Sequence, residues 1–422
     1  MTYDEALEYI HGISWTFCKP GLERIGQLCE LLGHPERGLK FVHVAGTNGK
    51  GSFCSMLSSI LQAAGLCVGL YTSPYVKAFN ERMQINGESI ADAELCELTE
   101  YVKPYADSMT DSPTEFELIT AVAFEYFKRH ECDVVVLEAG LGGRLDSTNI
   151  IREPLLSVIT GIALEHTAIL GDTVQQIAAE KAGIIKDGAP ILYGGDSQEA
   201  ADVISRTAVE RGSEFYRTDA AALEIVKAAL EGSHFNYKGR RDVYIPLLGL
   251  YQPKNAALVL EAVDILKKRG LTISEDAVRV GFERAVWHAR FEIIDTQPLT
   301  IFDGAHNPQG IEMAVQSIKH YFDGRGVCLV TGVLKDKDYT QIAEMLATVA
   351  HRAFVITPDS PRALAAQEYA QVLGGAGMDA VPCESVDEAL RAARAYALRE
   401  GLPVICLGSL YVYVEVCRAL GI

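Results

Sequence analysis

Short apolar runs and amphipathic stretches alternate along most of the chain. The run Leu39-Lys40-Phe41-Val42-His43-Val44-Ala45 is rich in β-branched and aromatic residues and ends at a glycine, which predicts a buried strand. After the turn Gly46 to Ser52, a helical pattern runs from Phe53 to about Ala64 and stops at Gly65, and Cys67–Tyr71 predicts a second short strand. More of the same follows: a helix from about Glu115 to His130, strands at Asp133–Glu138 and Leu155–Thr160, a helix from Thr173 to Ala182, and a strand at Pro190–Tyr193. Apolar strands separated by helices imply a parallel sheet covered on both faces.

Residues 213–250 change character. Phe235–Lys238 and Asp242–Leu247 alternate like antiparallel edge strands, and a long helix from about Asn255 to Lys268 follows. A second α/β series then begins, with strands at Phe291–Ile294, Leu299–Phe302, Val327–Thr331, Ala353–Ile356 and Val404–Leu407. The expected architecture is α/β in two domains. Residues 1–285 form a phosphate-loop-type, doubly wound, mostly parallel sheet with a small antiparallel edge, and residues 286–422 form a smaller Rossmann-like domain. Ligands in such sheets bind at the carboxyl ends of the strands.

Composition narrows the function. With 49% hydrophobic and 22% charged residues, the chain is neither disordered, collagen-like nor a coiled coil. Its 38 basic and 56 acidic residues leave a net charge of −18, which disfavours binding to nucleic acid or an anionic membrane. An anionic substrate then requires a local cluster of cations or a metal. The ten cysteines are scattered without a C-x-x-C pair, so they read as small buried hydrophobes in a reducing compartment. The acidic start MTYDEALEYIH has no signal-peptide apolar run, and no stretch of about 18 apolar residues occurs. A cytoplasmic monomer is expected.

The strongest chemical motif is Gly46-Thr47-Asn48-Gly49-Lys50-Gly51-Ser52, between a strand and a helix. Glycine-freed backbone N–H groups and a helix N-terminus can wrap a phosphate, Lys50 can reach the β/γ-phosphates, and the Ser52 hydroxyl can meet a metal ion. It departs from a strict P-loop, with Val44 where the first glycine belongs and Gly51 directly after the lysine. Glu138 ends an apolar strand and precedes the glycine cluster Ala139 to Asp146, so its carboxylate can face that loop and hold Mg²⁺. By pattern alone, His166 in Glu165-His166 is as readily a structural residue as a ligand, and Lys181 reads as a solvated helix lysine. Asp303-Gly304-Ala305-His306-Asn307-Pro308 ends a strand with residues that all favour a turn, except His306, which tilts the segment toward function. Arg290, at the hinge, offers a fixed cation for an anionic ligand.

Together these residues resemble the folylpolyglutamate synthase/dihydrofolate synthase family of the Mur ligase superfamily. The likeness runs through Leu31–Pro35, Phe41–Ser52, Thr72-Ser73-Pro74, Phe79–Arg82, Thr114–Ala121, Leu137–Asn149, Gln252–Asn255, Arg290–Glu292, Asp303–Pro308 and Gly408–Tyr411. The resemblance implies an ATP-dependent ligase that adds L-glutamate to a folate or to dihydropteroate through an acyl phosphate. In that reading residues 1–285 bind ATP and residues 286–422 are the glutamate ligase domain. Gly46, Thr47, Asn48, Gly49, Lys50, Gly51 and Ser52 would take the ATP phosphates, with Asn255, Arg290 and Asp303 as further nucleotide contacts. Ser52, Ser73, Glu138, His166 and a carbamylated Lys181 would hold two Mg²⁺ ions. Lys50, Lys181 and His306 would be catalytic, and Thr114, Glu115, Phe116, Glu117, Leu145, Asp146 and Ser147 would form the pterin-side pocket. Glu165, Tyr251, Ala289 and Tyr75 depart from the family pattern of aspartate, histidine, glycine and histidine.

Three rivals are weaker. A peptidoglycan-precursor Mur ligase would carry a further N-terminal domain, and only about 38 residues precede the first strand here. A phosphate-loop switch or motor ATPase would release phosphate without an amino acid. A non-catalytic folate-binding relative would have lost ligands that are all present.

Overall fold

The alternation of strands and helices is realised twice, in two compact units. The structure, a computed structural model, describes residues 1–12 and 20–422. The first unit comprises Met1–Glu224, Asn236–Tyr244 and Lys254–Ala285, and the second comprises Ile225–Phe235, Ile245–Pro253 and Val286–Ile422.

The first unit is built on an eight-stranded sheet: β1 (Phe41–Ala45), β2 (Val68–Tyr71), β3 (Met83–Ile85), β4 (Glu88–Ser89), β5 (Val134–Glu138), β6 (Leu156–Ile159), β7 (Ile191–Tyr193) and β8 (Phe215–Arg217), in the order β4-β3-β2-β5-β1-β6-β7-β8. All pairs from β2 to β8 are parallel, and β3 and β4 add antiparallel pairs at one edge. β1, β2, β5, β6 and β7 are buried at every position, as strands covered on both faces must be. The core includes an apolar cluster around Phe41, Tyr71, Phe124 and Phe127 and another around Ile159, Ile177, Ile191, Tyr193 and Ile204.

The antiparallel edge is not where the alternation in 235–247 pointed. It is the hairpin β3–β4, closed by Asn86-Gly87 with both residues at positive φ, the two-residue turn that Asn-Gly favours. Residues 223–245 instead make β9 (Leu223–Ala229), β10 (Gly232–Tyr237) and β11 (Arg240–Ile245), a three-stranded sheet of their own. The outer strands β9 and β11 are largely solvated while the middle strand β10 is mostly buried, so alternation appears without membership of the large sheet.

The helix that follows the phosphate loop, Lys50–Ala63, is gripped by the helix Glu275–Arg284. Gly281 makes this possible: a Cβ there would lie 2.4 Å from Ile60 Cα, and Ser59 Oγ donates to Gly281 O at 2.7 Å.

The second unit contains a sheet of β12 (Glu292–Thr296), β13 (Leu299–Asp303), β14 (Val327–Thr331), β15 (Ala350–Val355), β16 (Ala380–Pro382) and β17 (Val404–Leu407), ordered β12-β13-β17-β14-β15-β16. Only the β12–β13 pair is antiparallel. The last strand, β17, inserts between β13 and β14, so the strand order reverses beside Asp303. β16 was not foreseen, being three residues long and only partly buried. Nine cysteines are free, with Cys67 and Cys383 half-buried and the other seven buried, while Cys18 lies outside the described residues. Among the described residues no helix is long and apolar enough to cross a membrane.

Candidate active site

The carboxyl ends of β1, β5 and β6 converge in the first unit. In register, Val44 lies opposite Glu138 and Ala45 opposite Ile159, so the phosphate loop, the acidic strand end and the Thr160–Ala163 segment leave the sheet side by side. They border a small open cleft whose lining includes Gly46, Thr47, Lys50, Gly140, Leu141, Glu165, His166 and Lys181.

The loop is braced before any ligand arrives. Thr160 Oγ1 donates to Asn48 O at 2.7 Å, Thr47 N–H donates to Gly161 O at 2.8 Å, and Ala163 N–H donates to Thr47 Oγ1 at 3.1 Å. Two glycines are required by geometry. Gly46 has φ +151°, and a Cβ on it would meet Thr160 Oγ1 at 2.0 Å; Gly49 has φ +85°, and its Cβ would come within 2.8 Å of Asn255 Oδ1. The helix starts at Lys50, directly after left-handed Gly49, so its first N–H groups open toward the loop.

Two cations meet at one carbonyl. Lys50 Nζ donates to Gly46 O at 3.2 Å and to Thr47 O at 3.3 Å, and Lys181 Nζ donates to Gly46 O at 2.8 Å. Lys181 is not a solvated helix lysine: it is buried. Burial first, and the Lys50 charge second, push its ammonium down to about 7. Lys50 Nζ also lies 3.8 Å from Glu138 Oε1, and Ser73 N–H donates to Glu138 Oε2 at 3.4 Å. Glu138 and Ser52 are buried, while His166 is exposed in a left-handed conformation (φ 50°) with Nε2 3.9 Å from Glu165 Oε1.

Among the described residues no cluster of three His, Cys, Asp or Glu side chains forms a metal cage. The donors present are one buried carboxylate, two serine hydroxyls and an imidazole. That set fits Mg²⁺, which binds through one or two carboxylates together with substrate phosphates and retained waters.

The residues expected to contact pterin are largely committed to structure. Thr114 and Glu117 form a reciprocal capping box at the start of the helix Glu115–Arg129. Both Glu117 oxygens also accept from buried Arg24, Nε to Oε2 at 2.9 Å and Nη2 to Oε1 at 3.1 Å. Phe116 packs over Gly140, where a Cβ would touch its ring at 2.6 Å. Glu115 lies 3.3 Å from His11, and Leu145 is half-buried. Asp146 is buried, with Oδ2 accepting Leu141 N–H at 2.8 Å and Oδ1 accepting Thr148 N–H at 3.1 Å; Ser147 Oγ pairs with Thr120 Oγ1 at 3.0 Å. The loop 140–149 lies tightly on the end of the helix that carries Lys181. A Cβ on Gly143 would meet Lys181 O at 2.9 Å, one on Gly183 would meet Arg144 Cα at 2.5 Å, and Asn149 Nδ2 donates to both Arg144 O and Gly183 O at 3.0 Å.

Arg290, Asp303 and His306 belong to the second unit. Buried Asp303 accepts Tyr251 Oη–H at 2.9 Å, Phe291 N–H at 3.0 Å and Ala305 N–H at 2.7 Å; burial raises its carboxyl above the ordinary value against these donors. Arg290 Nη1 donates to Ala289 O at 2.9 Å, and His306 Nδ1 donates to Gly304 O at 2.8 Å.

Matches to known proteins agree with these motifs. Residues 44–263 match the Mur ligase middle domain, and residues 289–410 match the Mur ligase glutamate ligase domain. The dihydrofolate synthase/folylpolyglutamate synthase of Bacillus subtilis is 41% identical over 377 residues, covering 87% of each chain. The chain belongs to the dihydrofolate synthase/folylpolyglutamate synthase family. Its structure superposes on Mycobacterium tuberculosis folylpolyglutamate synthase complexed with ADP with a TM-score of 0.92 at 29% identity, covering 100% of this chain and 98% of the other. Against Escherichia coli FolC in complex with DHPP and ADP the TM-score is 0.86 at 30% identity, with 100% and 98% covered.

Within this family two departures acquire a structural account. Ala289, where the resemblance led us to expect glycine, sits at φ +56°, a conformation that suits glycine and costs alanine about 1 kcal/mol of backbone strain. Tyr251, where the resemblance led us to expect histidine, donates its hydroxyl proton to Asp303. Sequence reasoning missed Thr160, which braces the loop from the end of β6; a hydroxyl at a strand's carboxyl end facing a glycine loop was the available signal.

Proposed function

We propose that this chain, an ATP-dependent ligase that joins L-glutamate to folates, accepts both a tetrahydrofolate and dihydropteroate and activates the acceptor carboxylate as an acyl phosphate. The observation that carries this reading is the meeting of Lys50, Lys181 and Glu138 around the glycine loop. A carboxylate is a poor electrophile, and phosphorylating it brings together the γ-phosphate, the departing ADP and the carboxylate, all anionic. Lys50 leaves its Gly46 and Thr47 carbonyls to bind the β/γ-phosphates, and the loop N–H groups hold them in line. The glutamate amine then attacks the acyl carbon, and the tetrahedral adduct collapses to amide and phosphate.

Ser52, Ser73, Glu138 and His166 would hold Mg²⁺, which when bound neutralises phosphate charge and orients the γ-phosphate. Lys181 would be carbamylated: its uncharged amine, the form that adds to CO₂, is well populated near neutral pH in this buried setting. Asn255, Arg290 and Asp303 would contact the nucleotide and His306 the reacting groups. Thr114, Glu115, Phe116, Glu117, Leu145, Asp146 and Ser147 would shape the pterin side. Residues 1–285 would serve ATP and residues 286–422 the glutamate, in a cytoplasmic monomer.

The test is ATP- and Mg²⁺-dependent incorporation of labelled L-glutamate, run with dihydropteroate and with a tetrahydrofolate monoglutamate. Incorporation into both acceptors supports the dual activity, and incorporation into one assigns the branch. ATP turnover with neither acceptor would refute the substrate assignment.

A further inference from the structure

A chain of hydrogen bonds runs from the middle of the large sheet to the loop 140–149. His43 sits in β1, in register with Leu137 of β5 and Ser157 of β6, and is fully buried. Its Nε2 lies 2.9 Å from Thr148 Oγ1, and Thr148 Oγ1 donates to Asp146 Oδ1 at 2.5 Å. The direction of each bond follows from the carboxylate. Asp146 Oδ1 accepts the Thr148 hydroxyl proton, so the remaining Thr148 lone pair takes the proton on His43 Nε2. That fixes the neutral Nε2–H tautomer and leaves Nδ1 bare, consistent with Nδ1 having no hydrogen-bond partner among the described residues. Lys186, which donates to Asn149 O at 2.9 Å, is the charged group that acts on the ring, and burial with this cation keeps the imidazole uncharged.

We propose that His43 is a positioning residue for acceptor recognition, holding Asp146 Oδ1 through Thr148 so that Oδ2 is presented in a fixed direction to an N–H donor of the pterin ring. The inference rests on the reading that Leu145, Asp146 and Ser147 line the pterin-side pocket. Oδ1 is filled by the Thr148 hydroxyl and the Thr148 N–H, and Oδ2 accepts Leu141 N–H, so both oxygens have defined directions and Oδ2 is the one that keeps lone-pair capacity for a ligand. β1 leads directly into the phosphate loop, so the strand that sets Gly46 also sets Asp146.

The test compares wild type with H43L, H43Q, T148V and D146A, each checked by thermal unfolding, for KM of the folate acceptor, KM of ATP and kcat. H43L and T148V are expected to raise the acceptor KM about tenfold, the worth of one lost buried hydrogen bond, while leaving the ATP KM within about twofold. H43Q, whose amide nitrogen reaches the position of Nε2, is expected to restore the acceptor KM to within about twofold. A purely structural histidine would lower stability and kcat in H43L and H43Q alike without moving the acceptor KM, and that result overturns the proposal. D146A separates the two levels. If D146A leaves the acceptor KM unchanged, the pocket reading fails; if D146A raises it while H43L and T148V do not, only the relay fails. Should H43L not fold, T148V carries the same decision, because it cuts the relay with the ring in place.

Discussion

His43 makes the first unit sensitive to acid in a way that can be calculated. Burial, with the Lys186 cation as the second cause, moves its imidazole from 6.5 down to about 3. The folded state therefore excludes a proton that the unfolded chain binds below pH 6.5. Stability from this residue is fully present above the unfolded value and is lost as pH falls from 6.5 toward 3. At pH 5 the loss is set by the unfolded value alone, because the folded value lies well below 5. One and a half units correspond to about 2 kcal/mol. No discount for solvent screening applies, because the ring is fully buried. The assay is urea unfolding of wild type and H43Q at pH 7.5 and 5.0, followed by far-ultraviolet circular dichroism. Other titrating groups cancel when the two proteins are compared. Wild type should lose about 2 kcal/mol more than H43Q between the two pH values. An equal loss in both proteins would mean that the imidazole is protonated in the folded state, and the tautomer argument for the relay would fall with it.

Other perturbations test separate parts of the molecule. Glu138→Ala should reduce glutamate incorporation by a factor of about 100 or more, on the order of one lost electrostatic anchor in a reacting site, with an unchanged circular dichroism spectrum. Gly281→Val should lower the unfolding temperature, because its Cβ would fall 2.4 Å from Ile60 Cα and the two helices must part; a cost of about 1–3 kcal/mol is expected for such overpacking. Arg24→Met leaves the buried Glu117 carboxylate without its bidentate partner and should cost about 3–5 kcal/mol in denaturant unfolding, whereas Arg24→Met with Glu117→Leu should recover part of it. Ala289→Gly should raise the melting temperature slightly by releasing about 1 kcal/mol of left-handed strain, and a fall would refute the strain argument.

What the sequence made legible was local. Gly46 to Ser52 could be placed because strand, glycine loop and helix are contiguous, and the buried strands betray themselves as apolar runs. Lys181 was misread by its helical surroundings: its burial comes from the Gly46 carbonyl 135 residues away. The commitment of Glu117 to Arg24 spans 93 residues, and the His43–Thr148 contact spans 105. Neither leaves a periodic trace. The β3–β4 hairpin was missed because its strands are short, although its Asn-Gly turn was visible. The family resemblance supplied the candidate roles for Lys181 and His166 that pattern could not.

The backbone contacts of Gly143 with Lys181 and of Gly183 with Arg144 carry a consequence for engineering. They make the loop 140–149 and the end of the helix Val174–Ala182 a single exchangeable cassette. A loop grafted from a relative to change acceptor preference would arrive with a backbone path shaped to its own helix end, and at contacts this close a shift of a few tenths of an ångström is a collision. Successful transplants should therefore carry residues 180–184 together with 140–149, and loop-only chimaeras should disturb Lys181 even though no residue of its helix was altered.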